Sequence, residues 1–145
     1  MRKKQLLLTI LIIANILFIW GNSVLSQELS RNLSAFFRDI LRNIFNSVGS
    51  SNMITNHMVR KSAHVFEYSA LSMLLMVFFD EVRLKSGLMS LAAGVSVAII
   101  DETIQIFASR GSAVKDVLID TGGCLTGFLI IMIIKRIRNQ KREME

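Results

Sequence analysis

Proline is absent from the 145 residues, and cysteine, tryptophan and tyrosine occur once each. Without proline, no helix loses an amide to a kink and no proline-stiffened linker divides the chain. The single Cys124 excludes an intramolecular disulfide and any cysteine-based metal cluster. Charged residues are only 19% of the chain, whereas hydrophobic residues are 52%. The mean hydropathy of +0.49 is high for a soluble domain of this length. A net charge of +6 would suit nucleic acid or anionic lipid, and its position along the chain decides between them.

The apolar residues fall into long runs. Three basic residues in positions 1–4 precede a nearly unbroken apolar stretch at 5–20, extended by residues 21–25 to the roughly 20 needed to span a bilayer. A basic start of this kind is either a signal peptide or a first membrane helix, and the length of the run favours an uncleaved anchor at about 5–25. Residues 27–48 differ. Leu29, Leu33, Phe36, Phe37, Ile40, Leu41, Ile44 and Phe45 recur at helical spacing, with Arg31, Arg38 and Arg42 opposite. Such a helix lies in a membrane interface or packs on the protein. Residues 49–52 break it and offer Ser or Asn as a cap for the next helix. Further spans are expected at about 58–79, 86–108 and 114–134, before a basic tail at 135–145. The expected fold is all-α: four transmembrane helices, with an amphipathic extracytoplasmic helix between the first and second.

Charge fixes the expected orientation. With the N-terminus inside, ten Lys/Arg lie on the cytoplasmic side and seven outside, and the acids divide four and seven. The net of +6 inside and zero outside agrees with the positive-inside rule. The basic balance therefore reports topology, and no nucleic-acid partner is expected.

The remaining polar residues then meet at one depth. With a rise of about 1.5 Å per residue, His64 lies roughly 6 Å and Glu67 roughly 10 Å along the second span from Arg60. Asp101 and Glu102 lie roughly 9–10 Å below the outer end of the third, and Asp116 and Asp120 about 3 and 9 Å into the fourth. An ionised side chain facing lipid at mid-bilayer costs roughly 2.5–3.5 kcal/mol, so these groups should face the bundle interior or a cavity. Arg60, Lys61, Arg110 and Lys115 are available to neutralise them, and no metal or other cofactor is expected. Asp116, Asp120, Gly123 and Gly127 form one stripe, whose Gly-x-x-x-Gly allows close approach of a neighbouring backbone. Adjacent Asp101 and Glu102 point about 100° apart, so Asp101 is expected to share its face with Gln105. Cys124 faces away from the stripe, and His57 precedes the second span as a surface residue.

Three motifs in this order, Arg60-Lys61-x-x-His64-x-x-Glu67-Tyr68, Asp101-Glu102-x-x-Gln105-x-Phe107 followed by Arg110, and Asp116-Val117-x-x-Asp120 with Gly123 and Gly127, resemble the VanZ-like family of bacterial membrane proteins. The likeness covers residues 5 to 134. Ala108-Ser109 stands where many relatives have a proline before the arginine, and Asp120 where many have asparagine. The resemblance implies a four-helix membrane domain and a link to glycopeptide resistance of the teicoplanin type, but no biochemical activity.

Three readings stay open. The first is an envelope protein whose polar cavity, open to the outer leaflet, binds a lipid-linked molecule or the lipid part of a lipoglycopeptide. Arg60, Lys61 and Arg110 would hold its anionic groups, and His64, Glu67, Tyr68, Asp101, Glu102, Gln105, Asp116 and Asp120 would complete the network. The second is a membrane enzyme acting on a lipid or cell-wall precursor, with His64 or Glu67 as acid or base. The third is a helper subunit or oligomer that docks a partner through its glycine face. In every reading the chain resides in the bacterial cytoplasmic membrane with both termini inside. A cysteine placed at Ser51 is expected to react with an impermeant label from outside intact cells; labelling only after lysis would reverse the topology.

Overall fold

The structure is a computed structural model that describes residues 2–24, 27–45, 54–108 and 114–143. Five helices follow one another: α1 (Lys3–Val24), α2 (Gln27–Phe45), α3 (Asn56–Glu81), α4 (Ser86–Phe107) and α5 (Val114–Glu143). All but α2 are long and apolar enough to cross a membrane. Thr55 caps α3, its side chain accepting from the Met58 amide at 3.2 Å. A cap from residues 49–52, as the sequence implied, lies outside the described residues. At the far end Arg83 adopts a left-handed conformation (φ 59°), and the Leu84 amide turns back to the Phe79 carbonyl at 2.9 Å. This bond closes α3 by satisfying one of its last carbonyls. α5 does not stop at 134 but runs through Lys135, Arg136 and Arg138 to Glu143. Lys and Arg are good helix formers, and cations at a helix C-terminus complement its dipole.

Paired residues give the direction of each helix. Lys4 at the start of α1 bonds Glu81 at the end of α3 at 2.5 Å, and Asn22 at the end of α1 bonds Glu67 near the start of α3. α1 and α3 are therefore antiparallel. Lys135 late in α5 pairs with Asp80 late in α3, while Lys61 pairs with Asp116 early in both, so α3 and α5 run parallel. α4 runs against both, Gly87 facing Phe128 and Gly94 facing Cys124. The four spans thus alternate in direction, as membrane connectivity requires.

The helices pack through small residues. A Cβ on Gly123 would stand 2.8 Å from the Val65 carbonyl oxygen and 2.9 Å from the Tyr68 Cβ, and one on Gly127 would collide with the Ser69 carbonyl oxygen. Ser69 completes the seam: its hydroxyl reaches Gly123 O at 2.9 Å and Val65 O at 2.6 Å. Cys124, fully buried, fills the space above Gly94 as a packing residue. Ile12, Ile19, Leu71, Leu75, Val97 and Ala98 complete the core. Lipid is as apolar as these side chains, so close van der Waals contact rather than water exclusion holds the bundle together.

Outward, large apolar residues are open on every spanning helix, including Leu17, Phe66, Leu88, Ile99, Leu118 and Ile133. An apolar surface this extensive marks a lipid boundary. The chain is a multi-pass membrane protein. α2 rests beside α3, tied by Arg42 Nε to the Ile54 carbonyl at 3.0 Å. Its Phe36, Phe37, Ile40 and Ile44 remain exposed, so the apolar stripe is not consumed by packing on the chain. The glycine face of α5, by contrast, is filled by α3 of the same chain and is not available to a partner. Gly127→Ala should lower stability in detergent by about 1–3 kcal/mol through overpacking. Gly122→Ala, with nothing within 4 Å of the added methyl, should stay within about 0.5 kcal/mol. Thermal unfolding of both variants checks this, and equal losses would place a different face against α3.

Candidate functional site

The seam between α3 and α5 sets the site. Proceeding away from Gly127 and Ser69, the next steps bring Tyr68 against Gly123, His64 beside Asp120, and Lys61 beside Asp116. The rungs arise because both helices repeat every three to four residues on the same face. His64 Nδ1 lies 3.4 Å from Asp120 Oδ1, and Lys61 Nζ 3.5 Å from Asp116 Oδ1. Asp116 is at the rim, whereas Asp120 is 1% exposed.

α4 supplies the third wall. Asp101 is fully buried, and Glu102 and Gln105 nearly so. Gln105 Nε2 donates to Asp101 Oδ2 at 2.9 Å, realising the shared face expected from their spacing. Asp101 and Glu102 are both inward despite their 100° separation, because α4 is flanked by neighbours on two sides.

α1 contributes two residues that the motifs do not include. Asn22 Nδ2 donates to Glu67 Oε1 at 3.1 Å. Ser23 accepts from Gln105 Nε2 at 3.3 Å and bonds the Asp101 carboxylate. The signal was present: Asn22-Ser23 is the polar end of the first apolar run, at the depth where the other spans carry their acids.

The described residues show part of the neutralisation that the sequence implied. Lys61 meets Asp116, Lys115 is exposed, and Arg110 lies outside the described residues. Among the described residues no Lys or Arg lies within 4 Å of Asp101 or Asp120. Asp101 Oδ1, Asp120 Oδ2, Glu67 Oε2 and the fully buried Tyr68 hydroxyl have no hydrogen-bond partner among those residues. His57 is exposed, as expected.

Two spaces adjoin this cluster. The larger, about 440 Å³, lies between α1, α2 and α3. Phe18, Leu33, Phe37, Val59 and Ala63 give it apolar walls, and Asn22, Ser34, Arg60, His64 and Glu67 a polar side. The smaller, about 10 Å³, is bordered by Lys61, His64, Gln105, Asp116 and Asp120. Arg60 and His64 line both. Of the residues singled out in the sequence, Arg60, His64 and Glu67 reach the large cavity; Lys61, Gln105, Asp116 and Asp120 border the small one. Tyr68, Asp101 and Glu102 are buried.

No match is found among curated proteins or among solved structures. A family model described as VanZ/LLP1, however, matches residues 6–135, which overlaps all four spans and takes in all three polar motifs. The chain belongs to the VanZ/LLP1 family.

Proposed function

We propose that this protein binds the anionic head of a lipid-linked cell-envelope molecule at the outer leaflet of the bacterial cytoplasmic membrane. The observation that carries this reading is the cavity of about 440 Å³ between α1, α2 and α3. Its volume lies in the range of small-molecule sites, and its apolar walls with a few convergent polar groups have the make-up of one. Phe18, Leu33 and Phe37 offer contact to an acyl or polyprenyl chain. Arg60 offers a fork of donors for phosphate or carboxylate, and it has no ion-pair partner within 4 Å among the described residues. α2 forms one wall, and its exposed aromatic stripe would lie in the headgroup layer beside the entrance. A contribution to glycopeptide resistance of the teicoplanin type would result if the same cavity took the lipid part of a lipoglycopeptide.

A second reading is favoured by one specific contact. His64 stands beside buried Asp120 and on the cavity wall with Glu67. A histidine with a carboxylate at its back and a ligand cavity at its front is equipped for proton transfer to a lipid or cell-wall precursor.

One experiment separates them. The full chain in detergent is incubated with extracted envelope lipids, and the retained and released species are weighed by mass spectrometry. The binding reading expects retention of an anionic lipid with unchanged mass, weakened about tenfold, or about 1.4 kcal/mol, in Arg60→Gln. Equal retention of neutral lipids would overturn it. Turnover that disappears in folded His64→Ala and Glu67→Gln variants would establish the enzyme instead.

A further inference from the structure

The buried cluster of His64, Asp101 and Asp120 is more than the cavity reading uses. One nitrogen of the imidazole and one oxygen of each carboxylate all lie within 4.8 Å of one another. The three come from three helices, α3, α4 and α5, so the arrangement is a product of the tertiary fold and not of local sequence. Asp101 and Asp120 are 0% and 1% exposed, and each keeps one oxygen with no hydrogen-bond partner among the described residues. Those residues place no Lys or Arg within 4 Å of either carboxylate. Lys61, which borders the same small space as Asp120, is engaged by Asp116 at the rim.

The His64 contact itself is unusual for a hydrogen bond. Its 3.4 Å exceeds the 2.7–3.2 Å of a well-formed N–H···O bond. It equals the separation of two ligands that each stand about 2.0–2.1 Å from a tetrahedral ion, which is about 3.3–3.4 Å. Outside the three, the hydroxyl of Tyr68 is also fully buried and without a partner among the described residues. The second carboxylate oxygen of Asp101 is already held by Gln105 at 2.9 Å, the kind of outer support that fixes a ligating carboxylate. The adjoining space of about 10 Å³ has room for roughly one water-sized sphere.

We propose that His64, Asp101 and Asp120 hold one divalent transition-metal ion in the wall between the two cavities. One imidazole with two carboxylates suits the borderline ion Zn²⁺, or the harder Mn²⁺ through its carboxylates, whereas Mg²⁺ and Ca²⁺ favour all-oxygen sites. Three protein ligands leave at least one coordination position for water or for an oxygen of a bound molecule. The ion would balance two buried carboxylates that no lysine or arginine among the described residues reaches. This inference does not depend on lipid binding.

The test uses the full chain in detergent, with any affinity tag removed and metal stripped by chelator. Zn²⁺ or Mn²⁺ alone is added by equilibrium dialysis, and bound metal is counted by mass spectrometry. One ion per chain is expected, with saturation at micromolar concentration. His64→Ala, Asp101→Asn and Asp120→Asn should each weaken binding at least tenfold, whereas His57→Ala should not change it. No saturable binding to the wild type overturns the proposal, as does binding that survives Asp101→Asn and Asp120→Asn. Should those variants fail to fold, Co²⁺ on the wild-type chain decides. Intense visible bands of a four- or five-coordinate nitrogen–oxygen site support the assignment, and the pale spectrum of hydrated Co²⁺ rejects it.

Discussion

The approach of α5 to α3 is the constraint on which the rest depends. Gly123 and Gly127 let the backbone of α5 settle against Val65, Tyr68 and Ser69, and the Ser69 hydroxyl bridges both helices. Because the helices run parallel and share their periodicity, fixing the seam at Gly127 also fixes Asp120 beside His64 and Asp116 beside Lys61. A slip of one residue would turn α5 by about 100° and carry its acids toward lipid. Packing of the smallest residues thus sets the geometry of the most polar ones.

The two ends of the bundle handle charge differently. At one end Lys4–Glu81 and Lys135–Asp80 are short pairs between partly exposed side chains, next to the water that flanks a membrane. At the other, the acids sit inward. Asp101 is held by neutral donors, Gln105 and Ser23, and Glu67 by Asn22. Neutral donors stabilise a carboxylate without discharging it. That leaves buried carboxylate oxygens without a hydrogen-bond partner among the described residues close to the cavity wall.

Much of this was legible in the sequence, and the reasons are specific. The four spans emerge from unbroken apolar runs, which lipid imposes on any spanning helix. The inward turn of Asp101, Asp120 and Gln105 reflects the cost of exposing them, and the α3–α5 seam reflects the glycine stripe. The illegible part depends on long-range placement. Nothing in residues 31–38 tells that Leu33, Ser34 and Phe37 close a cavity against α1 and α3. The share of Asn22 and Ser23 was hidden because a first apolar run reads as an anchor, so its polar end drew no attention. Which cation meets which acid was not legible either, since nearness in depth does not fix which side of a helix a lysine or arginine leaves from.

The most direct measurement is the coupling between His64 and Asp120. Unfolding free energies of the wild type, His64→Ala, Asp120→Asn and the double variant, determined in mixed micelles with chelator present, close a double-mutant cycle. Contact across the seam predicts a coupling of about 0.5–3 kcal/mol. Effects that add to within about 0.3–0.5 kcal/mol would show the two side chains to be apart, and would contradict the register on which the site is built.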